Sequence, residues 1–402
     1  MAAPPPRPLK LLLGPRRYTC QLKREYGKEF CLQECPTLRA PHIYEYVRVE
    51  RPEDLPSPDE RTIEVAVLDM NHGWPNLGHD SIVHAVQDAA CDLTPVLEPA
   101  GLRLRAVSFE VRQRHMVPED PGGRFAIYVG TGGPGHIDPH RNDGAAEGTQ
   151  GLREDPAWEP RVFALFDQIR DAPDTSLLAV CHSFGVLCRW SHVAHPVLRP
   201  ASKGGKSAGV LENVLTDEAQ RHPWFGQLAE ELPDHRRLRI VDHRLYDLIA
   251  DPGPLPAGVL AIGHETRGVG GPEGEALTMV EWARDGAGVM PRIFAVNHHP
   301  EIVDRSRQML ILREKLDRGE VTREWFEDRA RVLTETYPDD ERDQRLHLTS
   351  DFTLMGPLRY YLYRQVRLRA ERLGIPIGLH EDNVPQTAGG SAALAGGGAP
   401  IA

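Results

Sequence analysis

Cysteine is scarce in this chain. There are six in 402 residues: Cys20, Cys31, Cys35, Cys91, Cys181 and Cys188. No secretory signal precedes them. The chain starts Met-Ala-Ala-Pro-Pro-Pro-Arg-Pro, and the apolar run Leu11-Leu12-Leu13 is too short for a signal core. This excludes a disulfide scaffold and points to a reducing, cytoplasmic setting with free thiols. Cys20, Cys31 and Cys35 could begin a zinc site, but no matching second Cys or His pair follows nearby. Long apolar runs are also lacking, so no membrane span and no membrane partner are expected. There is no basic excess either: 47 Lys and Arg stand against 58 Asp and Glu, a net charge of -11. Nucleic-acid binding needs a basic face and is not expected. No internal repeat is present. What remains is 40% hydrophobic and 26% charged. Such a chain is globular and long enough for one large α/β domain with additions, or for two domains.

Strand and helix signals alternate through the first half. Residues 1–61 read as a proline- and charge-rich N-terminal extension that ends in a linker at 51–61. Ile63-Glu-Val-Ala-Val-Leu-Asp69 reads as a strand, followed by the loop Met70-Asn-His-Gly-Trp-Pro-Asn76. A helical pattern follows over 80–97. Further strands fit 103–111 and 124–129, and the second of these runs into Gly130-Thr-Gly-Gly-Pro-Gly135. Residues 136–157 read as a polar, glycine-rich mobile loop, and a helix fits 158–171. This order predicts a doubly wound, mainly parallel sheet covered on both faces, with its site beyond the carboxyl ends of the strands. After residue 200, short β-like runs at Val210, 238–241, 259–262, 276–282 and 292–296 suit a more antiparallel second half. Residues 303–335 and 352–373 are strongly helical, and a Gly/Ala-rich tail over 385–402 reads as disordered. The domain reading is therefore 1–61, a catalytic-type domain at 62–305, a helical extension at 306–384, and the tail.

One stretch carries the chemistry. Ser176-Leu-Leu-Ala-Val-Cys-His-Ser-Phe-Gly185 is a buried apolar run that ends in Cys181, with a helix-capable segment after it. A strand that stops at a reactive side chain and turns into a helix lifts that side chain out of the sheet. It also leaves backbone N–H groups at the helix start free to bind an anion. A cysteine nucleophile needs a base, a group that orients the base, and donors for an oxyanion. His299 can serve as base. Glu301 stands two residues on, on the same side of an extended segment, with Pro300 stiffening the link. Gly132 and Gly133 can turn a backbone N–H toward the site, and the N–H of His182 can supply a second donor.

These pieces, in this order, resemble the class I glutamine amidotransferase family over about residues 63–305. The resemblance rests on the first strand with Asp69 and its loop, the Gly-Gly-Pro-Gly run at 132–135, the Cys181 elbow and the His299-Pro300-Glu301 ending. Lys206-Ser-Ala-Gly-Val210, Leu215-Thr216 and His222-Pro-Trp-Phe225 also look like the region that follows the elbow in that family. The resemblance implies a Cys–His–Glu triad of Cys181, His299 and Glu301. Gly133 and His182 would lend backbone N–H groups to the oxyanion. The thiolate would attack an amide substrate such as glutamine, release ammonia and pass through a γ-glutamyl thioester that water hydrolyses. No cofactor or metal is implied. A separate synthetase subunit could accept the ammonia, since no ammonia-using domain is recognisable in the rest of the chain. The sequence departs from the family elbow Gly-x-Cys-x-Gly-x-Gln: those positions hold Ala179, Ser183 and Gly185. The loss of glutamine at 185 puts glutamine specificity in question. A catalytically inactive binding or regulatory protein on the same fold is the alternative.

Other readings use neighbouring residues. Cys-His-Ser-Phe-Gly also resembles the Gly-x-Ser-x-Gly elbow of α/β-hydrolases. Ser183 would then be the nucleophile, with Asp242 or Asp247 and His298 or His299 as partners. His298 could replace His299 as the base. Asp69, Asn71 and His72 can line the site or merely close a loop. His136, Asp138 and His140 alternate in a way that can bind a metal. Cys188 reads as core. Gly204-Gly-Lys-Ser207 lacks the earlier glycine of a phosphate loop and reads as surface. The helices after 303 read as a packing or partner surface.

Overall fold

The computed structural model describes residues 43–119, 121–200, 205–265, 276–336 and 344–377. Cys20, Cys31, Cys35 and the Gly/Ala-rich tail lie outside them. The strands are β1 (Tyr44–Val49), β2 (Thr62–Asp69), β3 (Arg103–Glu110), β4 (Ile127–Gly130), β5 (Ser176–Val180), β6 (Ala194–Leu198), β7 (Ser207–Leu215), β8 (Arg237–Arg244), β9 (Tyr246–Ala250), β10 (Leu260–Glu265), β11 (Ala276–Arg284) and β12 (Pro291–Val296). They join in one sheet, ordered β1-β3-β2-β4-β5-β12-β11-β10-β7-β8, with β9 branching from β11 and β6 pairing with β9.

Every pairing from β1 through to β12 is parallel, and every pairing beyond is antiparallel. The mainly parallel α/β reading stands, with three corrections. β12 had been grouped with the antiparallel half, yet it lies parallel beside β5. β6 and β9 went unread because Ala-His-Pro-Val-Leu and Tyr-Asp-Leu-Ile-Ala show no clean alternation. Tyr44–Val49, expected in the extension, is an edge strand of the sheet.

β2 shows why the parallel half folds. All eight of its residues are buried, as a strand covered on both faces requires. Ala66 and Leu68 join a core with Tyr128, Leu177, Ala179 and Ala295, beneath helices α2 (Glu159–Asp171) and α3 (His182–Ser191) and their Phe166 and Phe184. The alternate residues Val65, Val67, Leu178 and Val180 are also buried and face the opposite side. There α1 (Leu77–Asp92) and α7 (Gly356–Leu373) lie against the sheet. Fully burying one such side chain contributes roughly 1.5–3 kcal/mol. The charge of Glu64 within β2 is met by Arg105 at 2.8 Å and Arg124 at 2.7 Å.

Three more helices, α4 (Arg305–Asp317), α5 (Arg323–Thr336) and α6 (Gln344–Ser350), cover the antiparallel half. Leu312, Leu333 and Leu346 pack there with Val241 and Ile302. The loop at 136–157 was expected to be mobile, but it is pinned. The Gly135 N–H donates to Gln150 at 2.9 Å, the His136 N–H to Asn142 at 2.7 Å, and Asn142 to Glu154 at 2.8 Å. Among the described residues no helix is long and apolar enough to cross a membrane.

Candidate active site

The chain's direction of travel across the sheet reverses between β2 and β4, and the loops after β2, β4, β5 and β12 meet beyond their carboxyl ends. Cys181 is the junction between β5 and α3. Its backbone sits at φ 52° and ψ -103°, a conformation that side-chain-bearing residues seldom adopt. Two hydrogen bonds hold it there: its N–H donates to the Val296 carbonyl at 2.8 Å, and its carbonyl accepts the Gly185 N–H at 3.2 Å. The elbow expected from sequence is present.

His299 and Glu301 follow β12. The His299 Nδ1 meets Glu301 Oε1 at 2.7 Å, and both side chains are buried. The imidazole also lies close enough to the Cys181 side chain to feel its charge. With Nδ1 occupied by the carboxylate, Nε2 is the nitrogen left for the thiol. Burial alone would push this imidazole down. The Glu301 carboxylate, and then Cys181, outweigh burial and hold it well above its usual value. Its neighbours go the other way. Burial, then the charges of His299, Lys206 and Arg329, push His243 down to about 3. Burial, His299 and Arg244 do the same to His298. Of the three histidines only His299 is raised, a separation of pKa values of the kind found at acid–base sites.

Glu301 is set by α1. Asn76 caps that helix, accepting the Gly78 N–H at 2.7 Å and the His79 N–H at 3.2 Å. A Cβ at Gly78 would come within 2.6 Å of Glu301 Oε1, so only glycine lets the carboxylate lie against this positive helix end. From the other side Ser350 donates to the Pro300 carbonyl at 2.6 Å, and the His299 N–H donates to Val241 at 2.8 Å.

The loop after β4 forms the facing side. A Cβ at Gly132 would lie 3.1 Å from His299 Cε1 and 3.8 Å from the Cys181 sulfur, and one at Gly133 would lie 2.1 Å from the Met70 carbonyl. Gly133 admits no side chain, and Gly132 leaves only tight contact for one. Among the described residues the Gly133 N–H has no acceptor, and the His182 N–H, in the first turn of α3, has no carbonyl within its helix. Sequence reading missed the brace behind this loop. The buried Arg112 donates to the Met70 and Pro134 carbonyls at 2.9 and 2.7 Å, and forks onto Glu154 with two bonds of 2.6 Å. An arginine and a glutamate 42 residues apart carry no local signal.

A cavity of about 260 Å³ opens over Cys181, lined by Trp74, Gly133, Ile137, His182, Lys206, His243, Asn297 and His299 among others. Trp325, Arg329, Val332 and Leu333 of α5 also line it. The helices after 303 therefore do more than pack, which sequence reading had not foreseen.

The remaining candidates separate. Ser183 is buried and donates to the Thr131 carbonyl at 2.7 Å, beneath Gly130, so it is no exposed nucleophile. Asp242 accepts from Ser207 at 2.7 Å and Asp247 pairs with Arg199 at 2.9 Å; neither lines the cavity over Cys181. His298 is buried with both ring nitrogens unpartnered and does not line the cavity. Asp69 and Asn71 line a separate polar pocket with Arg48 and Lys315. His72 adopts φ 55° in the loop after β2. Ligand atoms of Asp138, His140 and Glu159 cluster, but the Arg189 guanidinium already pairs with both carboxylates. His136 turns away, its Nδ1 accepting the Asp138 N–H at 2.8 Å. Cys188 is core, as expected.

No protein-family model and no curated protein matches this chain. Among solved structures it is similar to a glutamine amidotransferase from Thermotoga maritima, at 15% identity over 76% of this chain and 98% of that one, with a TM-score of 0.41. It is also similar to a glutamine amido transferase from Methylobacillus flagellatus, at 13% identity over 80% and 98% of the two chains, with a TM-score of 0.36. The glutaminase domain of Trypanosoma brucei CTPS with bound acivicin aligns at 9% identity over 60% and 87%, with a TM-score of 0.35.

Proposed function

We propose that this protein is a glutamine amidotransferase-like enzyme that cleaves an amide through a Cys181 thioester. The observation that carries this reading is the chain of contacts from the half-buried Cys181 to the buried His299 and Glu301, at a strained strand–helix elbow. The raised imidazole favours an imidazolium beside Cys181. The thiolate forms a C–S bond to the amide carbon, and the carbonyl electron pair moves to oxygen. The Gly133 and His182 N–H groups face that oxyanion. On collapse the C–N bond breaks, and imidazolium gives its proton to the departing ammonia or amine. Water then attacks the thioester and His299 takes its proton. The C–S bond breaks, releasing a carboxylic acid and restoring the thiolate. If the ammonia is used, its acceptor is a separate synthetase subunit.

Gly185 bears on substrate choice. A Cβ there would fall 2.7 Å from Ile137, so the space of the family's glutamine is filled by an aliphatic side chain. This supports an amide other than glutamine as the preferred substrate. The test is Cys181-dependent ammonia release across glutamine and γ-glutamyl compounds, together with labelling by a glutamine-analogue electrophile. Release and labelling that vanish in Cys181→Ala support the reading. Equal release in that variant would sink it. So would a Cys181 that alkylates no faster than an ordinary thiol, leaving a binding protein on this fold.

A further inference from the structure

The cavity over Cys181 carries charge of one sign. Its lining includes Lys206, Arg244 and Arg329 and, among the described residues, no carboxylate, in a chain with net charge -11. Arg244 is neutralised from behind by Asp242 at 3.4 Å, Asp247 at 3.1 Å and Glu265 at 2.5 Å. The other two cations lack that support. Among the described residues Arg329 pairs only with its neighbour Asp328, at 3.8 Å, and has its guanidinium 5.6 Å from the centre of the Trp325 ring. Lys206 is exposed and forms no ion pair among the described residues. One comes from the start of β7 and the other from α5, and both bear on His243 between them. The rest of the wall is apolar: Trp74, Trp325, Ile137, Val332 and Leu333.

We propose that the substrate is an anionic amide, its scissile carbonyl on Cys181, its body along Trp74 and Trp325, and its carboxylate between Lys206 and Arg329. This rests on the cysteine-nucleophile reading above. The arginine fork matches a carboxylate, and an exposed lysine adds a point charge beside it. A free α-ammonium group finds no carboxylate among the described residues of this wall. The monoamide of a dicarboxylic acid therefore fits better than a free amino acid such as glutamine.

The test compares alkylation of Cys181 by iodoacetate and by iodoacetamide in the full chain, read at the Cys181 peptide. The ratio of the two rates is set against that for glutathione in the same buffer. Iodoacetate is expected to gain by roughly tenfold over the glutathione ratio, and the gain shrinks with added salt. The double variant Lys206→Ala/Arg329→Ala should lose most of it, with its own iodoacetamide rate serving as the control for a folded, accessible site. In turnover, glutaric acid monoamide should release ammonia faster than glutamine, and the double variant should erase that preference through KM. An iodoacetate gain that is absent, or that survives the double variant, overturns the proposal. Fast iodoacetamide alkylation without any iodoacetate gain overturns the anion alone and leaves the thioester reading standing. A Cys181 inert to both reagents removes both.

Discussion

The two halves of the sheet do different work around one cavity. On the parallel side, strand ends deliver Cys181, the Gly132–Gly133 loop and the His299–Glu301 pair, each held by backbone hydrogen bonds or by a position that only glycine can occupy. On the antiparallel side, β7, β8 and α5 deliver Lys206, His243, Trp325 and Arg329, most of them in contact with open cavity rather than with a fixed partner. The first set is over-determined and the second is not. This division suits an arrangement in which bond-making geometry is kept rigid while the facing wall is free to vary with the compound it meets.

That contrast can be broken at graded strength. Glu301→Gln strikes the rigid half and should cost the most, roughly 10²–10⁴-fold in kcat, because the imidazole loses its orienting carboxylate. It should also change the pH response. Glu301 is the largest influence raising His299 against burial, so the variant's imidazole titrates lower. In the wild type, protonated His299 adds stability that is fully present below its ordinary value of 6.5 and is lost as pH rises through the raised value. Melting curves of the variant should lose that dependence. A variant with unchanged kcat and an unchanged pH–melting profile would end the claim that this half is the chemical one. Next, Gly185→Gln drives a side chain into Ile137, and overpacking of this kind costs about 1–3 kcal/mol. Combining it with Ile137→Ala should recover most of the melting temperature and shift selectivity toward glutamine. If the single variant melts like wild type, Ile137 does not fill that space. The mildest is Ser350→Ala, which removes the hydrogen bond to the Pro300 carbonyl, worth about 1 kcal/mol. A drop in kcat of a few fold with little change in KM is expected. A change confined to KM would place Ser350 with the facing wall instead.

The same contrast explains what the sequence disclosed. Cys181, His299, Glu301, Gly132 and Gly133 were legible because each sits at the end of an apolar run, where spacing along the chain sets position in space. Arg112, Glu154, Lys206 and Arg329 come together only through the fold, from segments with no shared local pattern. β1 was hidden because Tyr-Glu-Tyr-Val-Arg-Val is an edge strand whose burial is partial. The mobile-loop reading of 136–157 failed because polarity was taken for solvation, while Asn142 and Glu154 are polar in order to bond one another. Gly185 was noticed as a departure, but only Ile137 in place explains it.

The hydrogen bond from Ser350 to Pro300, and those from Arg369 to the carbonyls of Glu60 and Thr62, have a consequence for how the molecule is made. The thiol, the glycine loop and the histidine all leave the ribosome before residue 300, yet the Pro300 carbonyl beside the histidine gains its side-chain partner only once residue 350 has emerged. The first long strand is not sealed at its base until residue 369 follows. A nascent chain thus carries Cys181 through much of synthesis without the finished pocket around it, which is complete only after residue 369 has emerged.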